Sequence, residues 1–122
     1  LAQPYFRFKS FTVFQNNDVF KVSSESVLLG GWCDILSPDI RCLDVGCGTG
    51  LLSLMLIQKG IRKITALDID PQAIKQANDN FYIYNKELTA KAEIHLICDD
   101  VMHFASQTPN QASFDLIISN PP

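Results

Sequence analysis

The chain has 122 residues, 47% of them hydrophobic, with a formal net charge of −3 and a pI near 5.1. That is enough for one domain with a proper core, and the mildly acidic balance weighs slightly against nucleic acid as a partner of this segment alone. No stretch reads as a signal peptide, and no apolar run reaches the roughly 18 residues a membrane span needs.

Residues 5–22 alternate aromatic and polar side chains, from Phe6, Phe8 and Phe11 to Val19, Phe20 and Val22. The pattern predicts a β-hairpin with Asn16, Asn17 and Asp18 as its turn. Ser23, Ser24 and Glu25 offer caps for a helix running through Val27, Leu28, Leu29 and Trp32, and Pro38 ends that unit. From Arg41 the pattern becomes strand and helix in alternation. Strands are expected at 41–45, 63–68, 93–98 and 114–118, with helices at 50–59, 71–85 and, weakly, 101–107. Gly60 is a natural helix stop, and Asp70 before Pro71 is a helix start. A parallel sheet with helices on both faces follows, a Rossmann-like, doubly wound α/β fold preceded by the hairpin and its helix. We treat 1–122 as one domain, with 1–38 as the hairpin and helix and 39–122 as the core.

Cys33, Cys42, Cys47 and Cys98 form no Cys-x-x-Cys pair and have no histidine at metal-ligand spacing. We expect a reduced, cytoplasmic protein without metal, with Cys42 and Cys98 as small core residues of their strands. Lys59, Arg62 and Lys63 read as solvated surface.

The first core strand opens into Asp44-Val45-Gly46-Cys47-Gly48-Thr49-Gly50. In such sheets ligands bind beyond the carboxyl ends of the strands, and glycines there let backbone N–H groups approach a ligand at the start of the next helix. Nicotinamide dehydrogenases use a similar turn. Asp44 favours a ligand carrying an ammonium group over a pyrophosphate, which it would repel. Asp68, ending the next strand, suits two ribose hydroxyls, whereas Asp70 is a turn former. Asp100 is placed to accept from an adenine amino group, the N–H of Val101 to meet a ring nitrogen, and Asp99 to be solvated. Asn120-Pro121-Pro122 follows the last strand. Two prolines remove two donors and stiffen the turn, so the Asn120 side-chain oxygen and the Pro121 carbonyl can accept both hydrogens of a substrate –NH2. That points to methyl transfer from S-adenosylmethionine to an exocyclic nitrogen, by positioning and electrostatics.

These motifs resemble the class I S-adenosylmethionine-dependent methyltransferases, in the group with an Asn-Pro-Pro-aromatic motif. The segments Phe8-Lys9-Ser10-Phe11-Thr12-Val13, Lys21-Val22 and Val27-Leu28-Leu29-Gly30-Gly31-Trp32 further resemble bacterial tRNA(Val) adenine-N6 methyltransferases, so that the likeness spans nearly the whole chain. The resemblance implies an anticodon-loop adenine as substrate, Asn120, Pro121 and Pro122 as the catalytic motif, and cofactor contacts from Lys21, Ser24, Asp44, Gly46, Cys47, Gly48, Gly50, Asp68, Ile69, Asp100, Val101 and Asn120. The flipped base would have to be unstacked from its loop. A protein-glutamine N5-methyltransferase, an rRNA guanine-N2 methyltransferase and a non-catalytic cofactor-binding module are the rivals, and a monomer is expected. Two departures stand out. Ser23-Ser24-Glu25-Ser26 occupies the place of the family's Gly-Thr-Asp-Gly, with Ser24 as a substitute hydroxyl and Glu25 as a substitute carboxylate near the methionine end of the cofactor. The aromatic residue after the second proline is absent, so we expect a fragment that stops after the fourth core strand and lacks much of the RNA surface.

Overall fold

The computed structural model describes residues 4–16, 19, 21–35, 37–87 and 91–121. The expectations for Asn17, Asp18, Phe20 and Pro122 lie outside the described residues.

Strands β1 (Tyr5–Arg7) and β2 (Thr12–Phe14) pair antiparallel, with Phe6 opposite Val13. The hairpin therefore turns earlier than the sequence suggests, between Phe8 and Phe11, where the Phe8 N–H donates to the Phe11 carbonyl at 2.8 Å. The rings of Phe8 and Phe11 stack with centroids 4.7 Å apart across this turn. Beyond β2 the partner is a side chain. Asn80 accepts from the Phe14 N–H at 2.8 Å and donates back to the Phe14 carbonyl at 2.9 Å, as a neighbouring strand would. A side chain thus satisfies the backbone that a later strand was expected to pair.

Helix α1 (Ser24–Trp32) begins at Ser23, whose hydroxyl accepts from the Ser26 N–H. Four parallel strands follow, each at or near its expected place: β3 (Arg41–Val45), β4 (Lys63–Asp68), β5 (Glu93–Cys98) and β6 (Leu116–Ser119). They are joined through α2 (Leu51–Gln58), α3 (Pro71–Glu87) and α4 (Val101–Ser106), the last followed by a 3-10 turn at Thr108–Asn110. The sheet order is β5-β4-β3-β6. It runs outward from β3 through β4 to β5 and returns to the far side of β3 for β6, so the order reverses beside β3. That reversal opens a crevice at the carboxyl ends of the strands.

Alternation along β3 divides the core between two faces. Cys42 points with Ile64, Ala66 and Ile118 toward the larger cluster, which takes in Leu54, Leu56 and Ile57 of α2, Phe81 and Tyr84 of α3, and Phe11 and Val13 of the hairpin. Leu43 and Leu67 point the other way, against Phe104 of α4 and Phe114. Helix α2 is buried on nearly every side, which accounts for an apolar sequence interrupted in its interior only by Ser53. Cys42 is buried as expected, and burial pushes its thiol up to about 12. Cys98 corrects the expectation of a core residue: it ends the edge strand β5 and is exposed. All four cysteines are free. Among the described residues no helix is long and apolar enough to cross a membrane. Lys59 and Arg62, read as solvated surface, donate to carbonyls around helix ends: Lys59 to Gly31 in the last turn of α1 and Cys33 just after it, Arg62 to Ile57 in the last turn of α2 and Ile61 beyond it.

Asn80 also donates to the Thr49 carbonyl at 2.8 Å, so one buried amide ties the hairpin and the glycine turn to α3. Asn80→Ala leaves three backbone groups unpaired and should lower unfolding free energy by about 2–4 kcal/mol in urea titrations. A loss below about 1 kcal/mol would mean that water replaces the amide.

Candidate functional site

The crevice is a cavity of about 620 Å³, within the size range of small-molecule sites. Its wall draws on the ends of all four parallel strands and on the start of α1. Three strand spacings of about 4.8 Å make it roughly 14 Å from the β5 end to the β6 end, long enough for an extended ligand.

The turn after β3 is held from β4. Gly46 and Cys47 donate their N–H groups to the Leu67 carbonyl at 2.7 and 2.9 Å, and Gly48 donates to Asp68 Oδ2 at 2.9 Å. The Gly50 N–H turns back to the Cys47 carbonyl. This corrects the expectation that these N–H groups meet the ligand; they are already spent on the scaffold. What the glycines supply is backbone shape and room. Gly46 and Gly48 have φ of +71° and +54°, with open space where a Cβ would stand, so each presents bare backbone to the cavity. Gly50 is different. At φ +85° it sits against Phe81, whose ring would lie 2.9 Å from an added Cβ, and it is a packing residue behind the wall.

Asp68 holds both ends of its own turn: Oδ2 takes the Gly48 N–H, and Oδ1 takes the Asp70 N–H at 2.9 Å. Each oxygen keeps a second lone pair. Asp70 caps α3 through the Gln72 N–H at 2.9 Å, as a turn former should. Asp100 caps α4, accepting from Met102 and His103 N–H groups through Oδ1. Asp99 is engaged as well as solvated: its Oδ2 lies 2.7 Å from His103 Nδ1, and this hydrogen bond holds the imidazole above its usual pKa. Ile69 and Val101, on neighbouring strand ends, are 68% and 40% exposed and both line the cavity, two apolar surfaces beside Asp68 and Asp100.

Asp44 is fully buried behind the glycine turn and does not reach the cavity wall. It shares a face of β3 with Cys42 and meets α2, where the Ser53 hydroxyl donates to Oδ2 at 2.7 Å. Gly50, the N-cap residue, has no side chain to cap α2, and the Asp44 carboxylate stands near that helix start in its place. Oδ1 is a buried polar atom with no hydrogen-bond partner among the described residues. Burial is the main reason its carboxyl is pushed up to about 6. Burial also holds the Cys47 thiol well above its ordinary range.

At the β6 end, Asn120 and Pro121 line the same cavity as Asp68. The Asn120 amide nitrogen donates to Ser26 Oγ at 2.6 Å, and Ser26 Oγ is 3.1 Å from Ser23 Oγ. Lys21 and Glu25 are on the wall, and Ser24 is exposed and off it. Lys21 donates to the carbonyls of Gln15 and Asn16. The structure thus gathers Lys21, Gly46, Cys47, Gly48, Asp68, Ile69, Asp100, Val101, Asn120 and Pro121 around one space, and leaves Ser24, Asp44 and Gly50 outside its wall. Sequence reasoning missed Ser26. A serine three residues after an N-cap serine was its only trace.

A family model described as the methyltransferase small domain matches residues 27–122. The chain belongs to that family. The tRNA1(Val) (adenine(37)-N6)-methyltransferase of Phocaeicola vulgatus is 42% identical over 122 residues, covering 100% of this chain and 48% of the relative. The enzyme of that name from Haemophilus influenzae is 41% identical over 119 residues, 96% of this chain and 48% of the relative. The chain therefore spans about half the length of these curated relatives. Among solved structures, a Thermus thermophilus 16S rRNA N2 G1207 methyltransferase in complex with AdoMet and guanosine aligns with TM-score 0.74 at 24% identity, over 97% of this chain and 32% of that one. A SAM-dependent methyltransferase from Agrobacterium tumefaciens aligns at 0.73 and 22% identity, over 100% and 41%. The doubly wound fold expected from the strand-helix alternation is the one these structures share.

The buried carboxyl sets a pH dependence. Unfolded, Asp44 ionises near 3.8; folded, it keeps its proton to about 6. Between these values the folded state binds the extra proton, so stability falls as pH rises from about 4 to about 6, by on the order of 2–3 kcal/mol, and is level above. Urea titrations at pH 4.5 and 7 should show this fall, and Asp44→Asn should remove it. An unchanged slope in Asp44→Asn would assign the effect to other groups.

Proposed function

We propose that this chain is the S-adenosylmethionine-binding part of a cytoplasmic enzyme that methylates the N6 amino group of an adenine in a tRNA anticodon loop, adenine-37 of tRNA(Val). The observation that carries it is the placement of Asn120 and Pro121 on the same cavity wall as Asp68 and the glycine turn. A cofactor grip and an amine grip thus share one space. The family membership and the names of the relatives support the same reading.

The residues present fit the cofactor. Asp68 has a free lone pair on each oxygen for the ribose hydroxyls. Ile69 and Val101 offer apolar faces for the adenine ring, and Asp100 an acceptor for its amino group. Bare Gly46 and Gly48 leave room for the ligand to lie against backbone. Lys21 and Glu25 carry the opposite charges that an amino-acid zwitterion requires. When bound, S-adenosylmethionine supplies a methyl group on a positively charged sulfur. Asp44, outside the wall, acts on this site by fixing the start of α2.

Acceptor chemistry falls to the β6 end. With its amide nitrogen committed to Ser26, Asn120 offers Oδ1 as a hydrogen-bond acceptor. The Pro121 carbonyl is the second acceptor. Two acceptors suit the two hydrogens of a primary amino group and would leave its lone pair free to take the methyl group, the methyl–sulfur bond breaking to leave S-adenosylhomocysteine as the new N–C bond forms. The proton lost from nitrogen passes to solvent. A hydroxyl acceptor, with one hydrogen, would use only half of this grip. The catalytic power expected is positional.

The intact protein, incubated with labelled S-adenosylmethionine and unmodified tRNA(Val), should yield N6-methyladenosine on nucleoside analysis. Asn120→Ala should lower kcat at least about a hundredfold, by analogy with loss of one preorganised polar contact, while leaving S-adenosylhomocysteine affinity within about twofold. Label in guanine-N2 or glutamine-N5 positions, with none in adenine, would overturn the substrate assignment.

A further inference from the structure

We propose that Ser26, with Ser23 behind it, is a positioning residue that fixes which atom of the Asn120 amide faces the acceptor. This rests on the reading of Asn120 as the group that holds the acceptor amine.

An asparagine amide carries a donor and an acceptor of nearly equal size, and a half-turn of its terminal torsion exchanges them. An Asn120 that presented its nitrogen would meet a substrate –NH2 with two donors face to face. Its orientation therefore needs a cause, and the cause is in α1. Ser23 caps the helix by accepting the Ser26 N–H at 3.2 Å. The hydroxyls of Ser23 and Ser26 are 3.1 Å apart, and either atom can donate in isolation. Ser26 Oγ stands 2.6 Å from the Asn120 amide nitrogen, a group that can only donate. Ser26 Oγ is therefore an acceptor toward Asn120, and its own proton is available to the Ser23 oxygen. In the arrangement proposed, Asn120 Nδ2–H donates to Ser26 Oγ and the Ser26 hydroxyl donates in turn to Ser23 Oγ. Turning the amide over would bring Oδ1 to Ser26 and require that proton back from Ser23.

The arrangement also couples two parts of the chain 94 residues apart. Ser26 is held within the first turn of α1, a helix whose Gly30 lies so close to Met55 of α2 that an added Cβ would collide with the sulfur. The group that aims Asn120 is thus mounted on a helix packed against the cofactor-binding core. Neither Ser23 nor Ser26 has an expected role in the glycine-turn or Asn-Pro-Pro motifs. Their place in the sequence is the segment where the chain departs from the pattern it otherwise resembles.

The test uses the intact protein and compares Ser26→Ala, Ser26→Thr, Asn120→Ala and the Ser26→Ala/Asn120→Ala double variant. Ser26→Ala should lower kcat about tenfold, the size of one hydrogen bond, with S-adenosylhomocysteine affinity unchanged by calorimetry. Ser26→Thr, which keeps the hydroxyl, should restore most of the rate. In the Asn120→Ala background, Ser26→Ala should cost nothing further. The Asn120 side-chain amide resonances in a 1H–15N spectrum should shift in Ser26→Ala and stay near their original place in Ser26→Thr, whether or not turnover is seen. An unshifted amide, an unchanged kcat, a loss of S-adenosylhomocysteine affinity or full additivity with Asn120→Ala would each overturn the proposal. Failure of the unsubstituted protein to methylate any amine would instead overturn the proposed function, and the inference with it.

Discussion

Two backbone N–H groups, of Gly48 and Asp70, converge on the carboxylate of Asp68. That convergence fastens the turn after β3 to the turn after β4, and the rest of the site is built around it. The glycine turn is further held by the Leu67 carbonyl, so its shape is set by the end of β4 before any ligand arrives. Preorganisation of this kind removes ordering costs from the binding step. It also explains why the turn needs glycine. Backbone with φ between +54° and +85° must run close to Asp68 and Phe81 at once, and side chains at these positions would be strained.

Much of this was legible from residue types. Strands 41–45, 63–68 and 93–98 match residue for residue, because each is a short apolar run bounded by unmistakable turn chemistry. Asp70 before Pro71 marked the start of α3 for the same local reason. The turn between Phe8 and Phe11 carries little turn chemistry and so leaves no mark in the residue types, whereas the turn expected at Asn16-Asn17-Asp18 falls largely outside the described residues. The pairing of Phe14 with Asn80 spans 66 residues, too far apart for a local residue pattern to reveal. Asp44 was misplaced by one consequence of alternation. Its spacing to Gly46 put it at the strand end, while the face it shares with Cys42 put it behind the wall. Ser26 was invisible because its partner lies in a different element.

The proposed function has to be reconciled with a mildly acidic chain. In that reading its residues supply a cofactor cavity and an amine-accepting corner, and neither requires a basic surface. Affinity for a polyanion would come from basic surface elsewhere, since phosphate contacts dominate nucleic-acid binding. The relatives are about twice as long as this chain. Asn120 belongs to the cavity by position and to α1 through Ser26, so the two ends of the chain meet at the group that would select the acceptor.

The central claim is that the cavity is a site for S-adenosylmethionine rather than for a dinucleotide. Calorimetric titration of the protein with S-adenosylhomocysteine and with NADH, repeated on Asp68→Ala with its fold checked by circular dichroism, tests it most directly. Binding of S-adenosylhomocysteine alone is expected, lost in the folded variant. Binding of NADH, or folded protein that ignores S-adenosylhomocysteine, would contradict it.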